Sequence, residues 1–389
     1  MPQNEPRRSN RRSFLKRTGA VSVGIAGLAG CTGGGGSGDE SDGGGSDGGK
    51  STDGGSNGEL EQTLNIFQWT DYWPDGFISG FEEETGVNVS VSNFASNEEM
   101  FNALKAGGTE QYDLIFPSDY MVNVMVDQEM IRPLNLDAIP NFSNLSGRFE
   151  EAPYDPGEKR YSAPYQWGTS GIAYNENMTE SVDTSSWEVM WNGDYAGQMT
   201  MLDDMRETIG AALKHLGYSL NTKNEDEIRE AKELLIQQKE LLKTYDSANF
   251  PTNLINEQAS PVHAWSGGAF QAYWETWKEG EGSPIHYSVP KEGGVVWVDT
   301  AAVTKEASHP NAAHAFINYF LDAEHGAEIT NYTYYGSPNE AAKEHIADEI
   351  LENESIYPSD ETMSNLEFIQ NLGQATTVYD SAWQEIKSA

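Results

Sequence analysis

The chain has 389 residues, and 61 aspartates and glutamates against 24 lysines and arginines leave a formal net charge of −37. A body this acidic does not hold nucleic acid through its phosphates, and the single cysteine, Cys31, allows neither an intramolecular disulfide nor a cysteine-based metal site. A solvated acidic surface suits a protein kept soluble at high salt, and among so many acids only those in apolar or aromatic surroundings point to a site.

The amino terminus reads as a targeting segment. Arg11-Arg12-Ser13-Phe14-Leu15-Lys16 precedes an apolar run over residues 20–28, which closes at Leu28-Ala29-Gly30-Cys31. Twin arginines, a short apolar core and small residues before a cysteine are an export pattern, and the core is shorter than the roughly 20 residues of a membrane span. The last four residues resemble a lipobox, so residues 1–31 are expected to be a twin-arginine lipoprotein signal with Cys31 as the lipidated residue. The plainer alternative is an ordinary cleaved signal. Residues 32–58 are almost wholly Gly, Ser and Asp and predict a flexible tether. The protein would then sit on the outer face of the cytoplasmic membrane, held by its lipid alone. The remaining body, from about residue 59, is long enough for two domains.

Within that body, Leu64-Asn65-Ile66-Phe67-Gln68 predicts a strand, followed by a helix that Asp75 can cap and that Gly86 ends. A strand over 87–91, a helix over 98–106, a strand over 112–116 stopped by Pro117 and a helix over 120–129 complete a β-α-β-α-β-α pattern, that of an α/β doubly wound sheet. An extended crossing segment is expected over 162–174. Beyond it come a strand at 199–202, helices over 207–216 and 225–243, a strand at 262–265, a helix over 270–278 and a strand at 285–289. Gly293-Gly294-Val295-Val296-Trp297-Val298-Asp299-Thr300 is a further apolar strand, and the chain from Pro310 onward reads as mostly helical.

That last strand carries an anomaly. Trp297 and Asp299, two residues apart, share one face, and a carboxylate on a hydrophobic strand is costly unless a cation or hydrogen-bond donor meets it. In open α/β sheets ligands sit beyond the carboxyl ends of strands. Those ends hold Trp69, Asp71 and Tyr72; Ser118, Asp119 and Tyr120; Asp203, Asp204 and Glu207; Trp265; and Trp297 with Asp299. Arg206 is the one basic residue among them. Aromatic faces attract a cation by about 0.5–2 kcal/mol each and carboxylates pair with ammonium groups, so the set suits a small organic cation. Each residue also has a plainer reading. Ser118-Asp119 and Asp203-Asp204 with Glu207 look like helix starts, and the aromatics suit a core.

Other chemistry finds little support. The seven histidines show no zinc-hydrolase spacing, and His309 and His314 read as surface residues. No phosphate loop or serine-hydrolase elbow is present. No cofactor and no enzymatic activity are expected. A sugar-binding receptor or a carboxylate-pair glycosidase stays open as the alternative, since aromatics and acids suit a sugar as well.

The chain resembles the spermidine/putrescine-binding proteins of ABC polyamine importers over essentially the whole body. The resemblance is carried by Trp69-Thr70-Asp71-Tyr72, Tyr112-Asp113-Leu114-Ile115-Phe116-Pro117-Ser118-Asp119-Tyr120, Pro164-Tyr165-Gln166-Trp167-Gly168, Leu202-Asp203-Asp204-Met205-Arg206-Glu207, Trp265-Ser266-Gly267, Pro290-Lys291-Glu292-Gly293-Gly294, Trp297-Val298-Asp299 and Tyr335-Gly336-Ser337-Pro338-Asn339. It implies a two-lobed periplasmic-binding-protein fold that closes on its ligand and delivers it to a permease. Lobe one would comprise residues 60–167 and 298–343, lobe two 172–292 and 350–389, with hinge strands near 167–171 and 297–298. It further implies that Trp69, Tyr72, Trp265, Trp297 and Tyr335 box the methylene chain of a polyamine. Thr70, Ser118, Asp119 and Tyr120 would form a polar rim, and Asp204, Glu207 and Asp299 would take amino groups. Asp71 stands where the family often has a glutamate, one methylene longer. A family glutamine falls at Ile369-Gln370, one residue out of register.

Overall fold

A computed structural model describes residues 60–389 apart from 70–71, 95–96, 151–153, 156–158 and 180–181. The export signal with Cys31, the tether, and the site candidates Thr70 and Asp71 lie outside the described residues.

Strands β1 (Thr63–Trp69), β2 (Asn88–Phe94) and β3 (Leu114–Ile115) form the expected parallel set with β1 in the middle. A second set comprises β5 (Met199–Met201), β6 (Leu242–Tyr245), β7 (Val262–Trp265) and β8 (Ile285–Ser288). Two longer strands, β4 (Ala163–Asn175) and β9 (Val296–Val303), run between the sets, giving the order β2-β1-β3-β9-β4-β7-β5-β6 with β8 also on β4. The division of labour along β4 is sharp. Residues 163–169 pair antiparallel with β9, and residues 170–175 pair with β7 and β8. The carboxyl end of β9 in turn pairs with β3 through Ala302 and Val303. Each half of the sheet therefore reaches the other only through β4 and β9.

Each half has a buried cluster of its own, and further clusters span both. In the first, Leu64 and Ile66 of β1 pack with Phe77 and Phe81 of the Phe77–Thr85 helix, Phe116, Tyr165, and Phe316 and Phe320 of the Pro310–Phe320 helix. In the second, Ile209 and Leu213 of the Met205–His215 helix pack with Leu235 and with Tyr379 and Ile386 of the Thr376–Ser388 helix. All but one residue of β4 are buried, as expected of a strand covered on both faces.

Several boundaries differ from expectation for identifiable reasons. Gly76, at φ 89°, begins the first helix, so Asp75 does not cap it. The helix expected over 225–243 ends at Gln238, and Leu242–Tyr245 becomes edge strand β6 beside β5. The run Lys239-Glu240-Leu241-Leu242-Lys243 holds good helix formers and no Gly or Pro stop, so only tertiary pairing reveals the strand. The helix expected from residue 270 starts at Ser266, because Ser266-Gly267-Gly268 reads locally as a loop. The surface reading of His314 is overturned. It is buried, its Nε2 accepts from the Asn135 amide at 3.0 Å, and its Nδ1 lies 2.6 Å from the Pro310 carbonyl. His309 is half-buried, with Nδ1 2.9 Å from the Asp113 carboxyl.

Candidate functional site

Asp299 lies on β9 opposite Gln166 of β4, with Ser118 bridging from the other side. It is 3 % exposed, and its oxygens accept from Ser118 Oγ at 2.8 Å and Gln166 Nε2 at 3.1 Å. Burial pushes its carboxyl up to about 6, while the bonds from Gln166, Ser118 and the Tyr72 hydroxyl hold it from rising further. Ser118 occupies an N-cap position, yet its hydroxyl makes no capping bond and serves Asp299 instead. Asn97 fixes it there, accepting from the Ser118 amide at 3.0 Å and donating to Oγ at 3.1 Å. Asp119, next in the chain, is fully buried and turned towards backbone. Its carboxyl accepts from the amides of Tyr120 at 2.7 Å and Val298 at 3.3 Å. Burial lifts it well above the usual range against those two bonds.

The second half supplies Glu207. Asp204 caps the Met205–His215 helix, accepting from the amides of Arg206 and Glu207 at 2.9 and 3.0 Å. Glu207 in the first turn is buried, and its Oε1 accepts from Ser170 Oγ at 2.9 Å and Trp265 Nε1 at 3.0 Å. Burial, then the nearby Asp204 charge, drive its carboxyl far above the ordinary range. Arg206 lies over the Tyr379 ring and donates to the Gln370 carbonyl and the Asn221 side chain. Asp203 is exposed and paired with Lys387.

Aromatic rings surround these acids. Trp297 meets Tyr335 edge-on with centroids 4.8 Å apart, Tyr335 meets Tyr72 at 6.3 Å, and Tyr72 meets Trp69 at 6.2 Å. Trp69 is anchored by its Nε1 to the Phe116 carbonyl at 2.9 Å. Two glycines make room. A Cβ on Gly168 would stand 2.4 Å from the Trp297 ring, and one on Gly267 would stand 2.2 Å from Tyr335. Trp297 Nε1 is buried without a hydrogen-bond partner. Tyr120 packs with Trp297 around Ile369 and lines, with Asp119, Tyr154 and Gln370, a cavity of about 250 Å³. A cavity of about 520 Å³ beneath the Phe77–Thr85 helix shares no residue with this set.

The described candidates thus fall into one neighbourhood, with Asp119 and Asp204 in supporting positions and Asp299 and Glu207 at its polar centres. Gln166, Ser170 and Gly168 are additions. They occupy alternate positions of β4 and so share one face, meeting Asp299, Glu207 and Trp297 in turn. That period of two is the signal that locates them once β4 is taken as a strand. Among the described residues no lysine or arginine lies within ion-pairing distance of Asp299 or Glu207, and no cluster could hold a metal ion.

Two half-sheets joined by crossing strands, with acids and aromatics at the junction, have a counterpart among known proteins. Residues 77–358 match the profile of the family described as bacterial extracellular solute-binding protein. The chain belongs to this family. The solute-binding protein is 32 % identical over 326 residues to the spermidine/putrescine-binding periplasmic protein of Escherichia coli, covering 84 % of this chain and 92 % of that one. The crystal structure of a spermidine/putrescine ABC transporter substrate-binding protein from Streptococcus pneumoniae superposes with a TM-score of 0.75 at 32 % identity, over 84 % of this chain and 99 % of that one. A lipoprotein of Treponema pallidum gives 0.74 at 30 % identity, over 83 % and 99 %. The fold is the two-lobed periplasmic-binding-protein fold. The family is one of solute receptors and not an enzyme class, which does not favour the glycosidase alternative. Among the described residues no helix is long and apolar enough to cross a membrane.

Proposed function

We propose that this solute-binding protein captures a polyamine of the spermidine/putrescine class and delivers it to the permease of an ABC importer. The observation that carries the reading is the pair of buried carboxyls, Asp299 and Glu207, one from each half. Neither has a lysine or arginine in ion-pairing distance among the described residues; Asp299 lies beside Tyr72 and Tyr335, Glu207 beside Trp265, and Trp297 meets the Tyr335 ring. An ammonium group would be the missing partner of each acid, and the rings would cover the methylenes between amines. Lobe closure would exclude water and present both lobes to the permease.

The finer assignments belong to the same proposal. Trp69, Thr70, Asp71, Tyr72, Ser118, Asp119, Tyr120, Asp204, Glu207, Trp265, Trp297, Asp299 and Tyr335 form the ligand site or its support. Lobe one is 60–167 with 298–343, and lobe two is 172–292 with 350–389. The twin-arginine segment exports the protein, Cys31 carries the lipid, residues 32–58 tether the receptor to the outer face of the membrane, and the acidic surface adapts it to high salt. A thermal-shift panel of putrescine, spermidine, oligosaccharides and amino acids tests the ligand class. Stabilisation by the polyamines alone is expected, and stabilisation by sugars without polyamines overturns the reading.

A further inference from the structure

His263 precedes Trp265 by two residues on β7, so both side chains leave the strand on one face. Both reach Glu207. Trp265 donates to Oε1, and His263 Nε2 stands 3.8 Å from Oε2. His263 is wholly buried with neither ring nitrogen hydrogen-bonded, and Glu207 Oε2 also lacks a partner. An orphaned buried polar atom is costly, because its lost hydration is not replaced. Trp187 packs edge-on to the His263 ring at 5.0 Å, and Ile172 is its cross-strand neighbour. An approach of about 0.8 Å would make a normal bond of ~3 Å and satisfy two orphans together.

The charges facing the pair favour an extra proton. Asp204 and Asp119 oppose a negative Glu207, Arg206 supports it, and the Tyr287 hydroxyl and the donors Ser170 and Trp265 complete the surroundings. We propose that Glu207 and His263 share one proton in the ligand-free protein, and that an ammonium group arriving at Glu207 expels it. This rests on the polyamine reading of the site. In the exchange the proton passes from the pair to water, and a ligand N–H then donates to the freed carboxylate. One positive charge enters as one leaves, so the buried site never carries an uncompensated carboxylate. Burial pushes the imidazole down to about 3 and the carboxyl up, which places the proton mainly on Glu207 with the ring as acceptor. Capture is then linked to proton release, and acid favours discharge of the ligand.

The test is calorimetric titration of spermidine into the intact receptor, His263→Gln and His263→Leu, from pH 6 to 8.5, in paired buffers of different ionisation heat. The native protein should release up to one proton per ligand and lose affinity about tenfold per pH unit below the titration of the pair. Glutamine keeps an acceptor oxygen for the Glu207 proton but cannot itself be protonated, and leucine offers neither. In the leucine variant the decline should begin about one pH unit lower, leaving affinity at pH 6 roughly tenfold above native, and the glutamine variant should shift less. An unchanged midpoint in the leucine variant, or a shift to higher pH in either, overturns the shared proton; an upward shift would mean that His263 only donates to an ionised Glu207. If the native protein binds no polyamine at any pH, the function fails while the pair stays testable. The His263 ring nitrogen-15 shifts in ligand-free protein should then change in Glu207→Gln, and identical shifts in both proteins overturn the pairing.

Discussion

Asp299 and Glu207 are buried carboxyls at the two sides of one site, yet their surroundings differ. Asp299 has donors on both oxygens, from Ser118 and Gln166, with Tyr72 adding a third. Glu207 has two donors on Oε1 and none on Oε2. Donors to the charged form offset part of the desolvation cost, so the surroundings of Asp299 favour its ionised form near neutral pH. Glu207, with Oε2 unpaired, is left dependent on what arrives. The lesson is that burial alone does not define a cation site; the distribution of donors decides which acid waits charged.

The largest effect that would break this contrast is expected from Asp299→Asn, which should remove most polyamine binding. Truncating one partner of a buried charge pair costs roughly 2–5 kcal/mol, read as a loss of about 30- to 5,000-fold in Kd by calorimetry; unchanged affinity would take Asp299 out of the site. The same substitution should stabilise the empty protein. Its carboxyl titrates near 6 when folded and about 3.9 when unfolded. The folded state therefore holds a proton that the unfolded state has lost, and stability falls as pH rises from about 4 to 6. Above pH 7, Asp299→Asn should gain about 1–3 kcal/mol in denaturant unfolding, a gain that fades below pH 4.

Gly168→Ala comes next. Its methyl would displace the Trp297 ring, and overpacking of about 1–3 kcal/mol carried into the bound state should appear as a loss of affinity of about 5- to 150-fold. An unaltered Kd would separate Trp297 from the ligand. Ser118→Ala removes one donor from the better supported acid. A hydrogen bond to a charged group is worth about 1.5–3 kcal/mol, and ligand binding at pH 6 should weaken more than at pH 8 because the Asp299 carboxyl rises further. An equal loss at both values would mean that Ser118 only shapes the pocket. The smallest expected effect is that of salt. The screening length falls to about 3 Å at 1 M, so an enclosed site should change little between low and high salt, whereas a steep slope would place the acids at an exposed surface.

Much of this was legible in the residues. Asp299 stood out because an acid on an apolar strand needs a partner, and Trp297 followed from the period of two. Glu207 was harder, because an acid in a first helical turn is ordinary. Its role shows only when Ser170 and Trp265, 37 residues before and 58 after it, converge on one oxygen. Gln166, Gly168 and Ser170 were obscured because β4 is buried on both faces and its sequence shows no alternation between polar and apolar. Strand β6 was hidden by good helix formers, and the burial of His314 depends on a bond to Asn135, far away in the chain.

One consequence of β4 concerns length. Gln166 touches one acid and Ser170 the other, so four residues of extended chain, about 13 Å at the usual rise, separate their two supports. That interval is fixed by covalent geometry and not by side-chain choice. The strand is a measuring rod between the two acids. Point substitutions can alter either contact, but changing the interval would mean moving one contact along the rod by whole steps of two residues, since a single step turns the side chain to the opposite face.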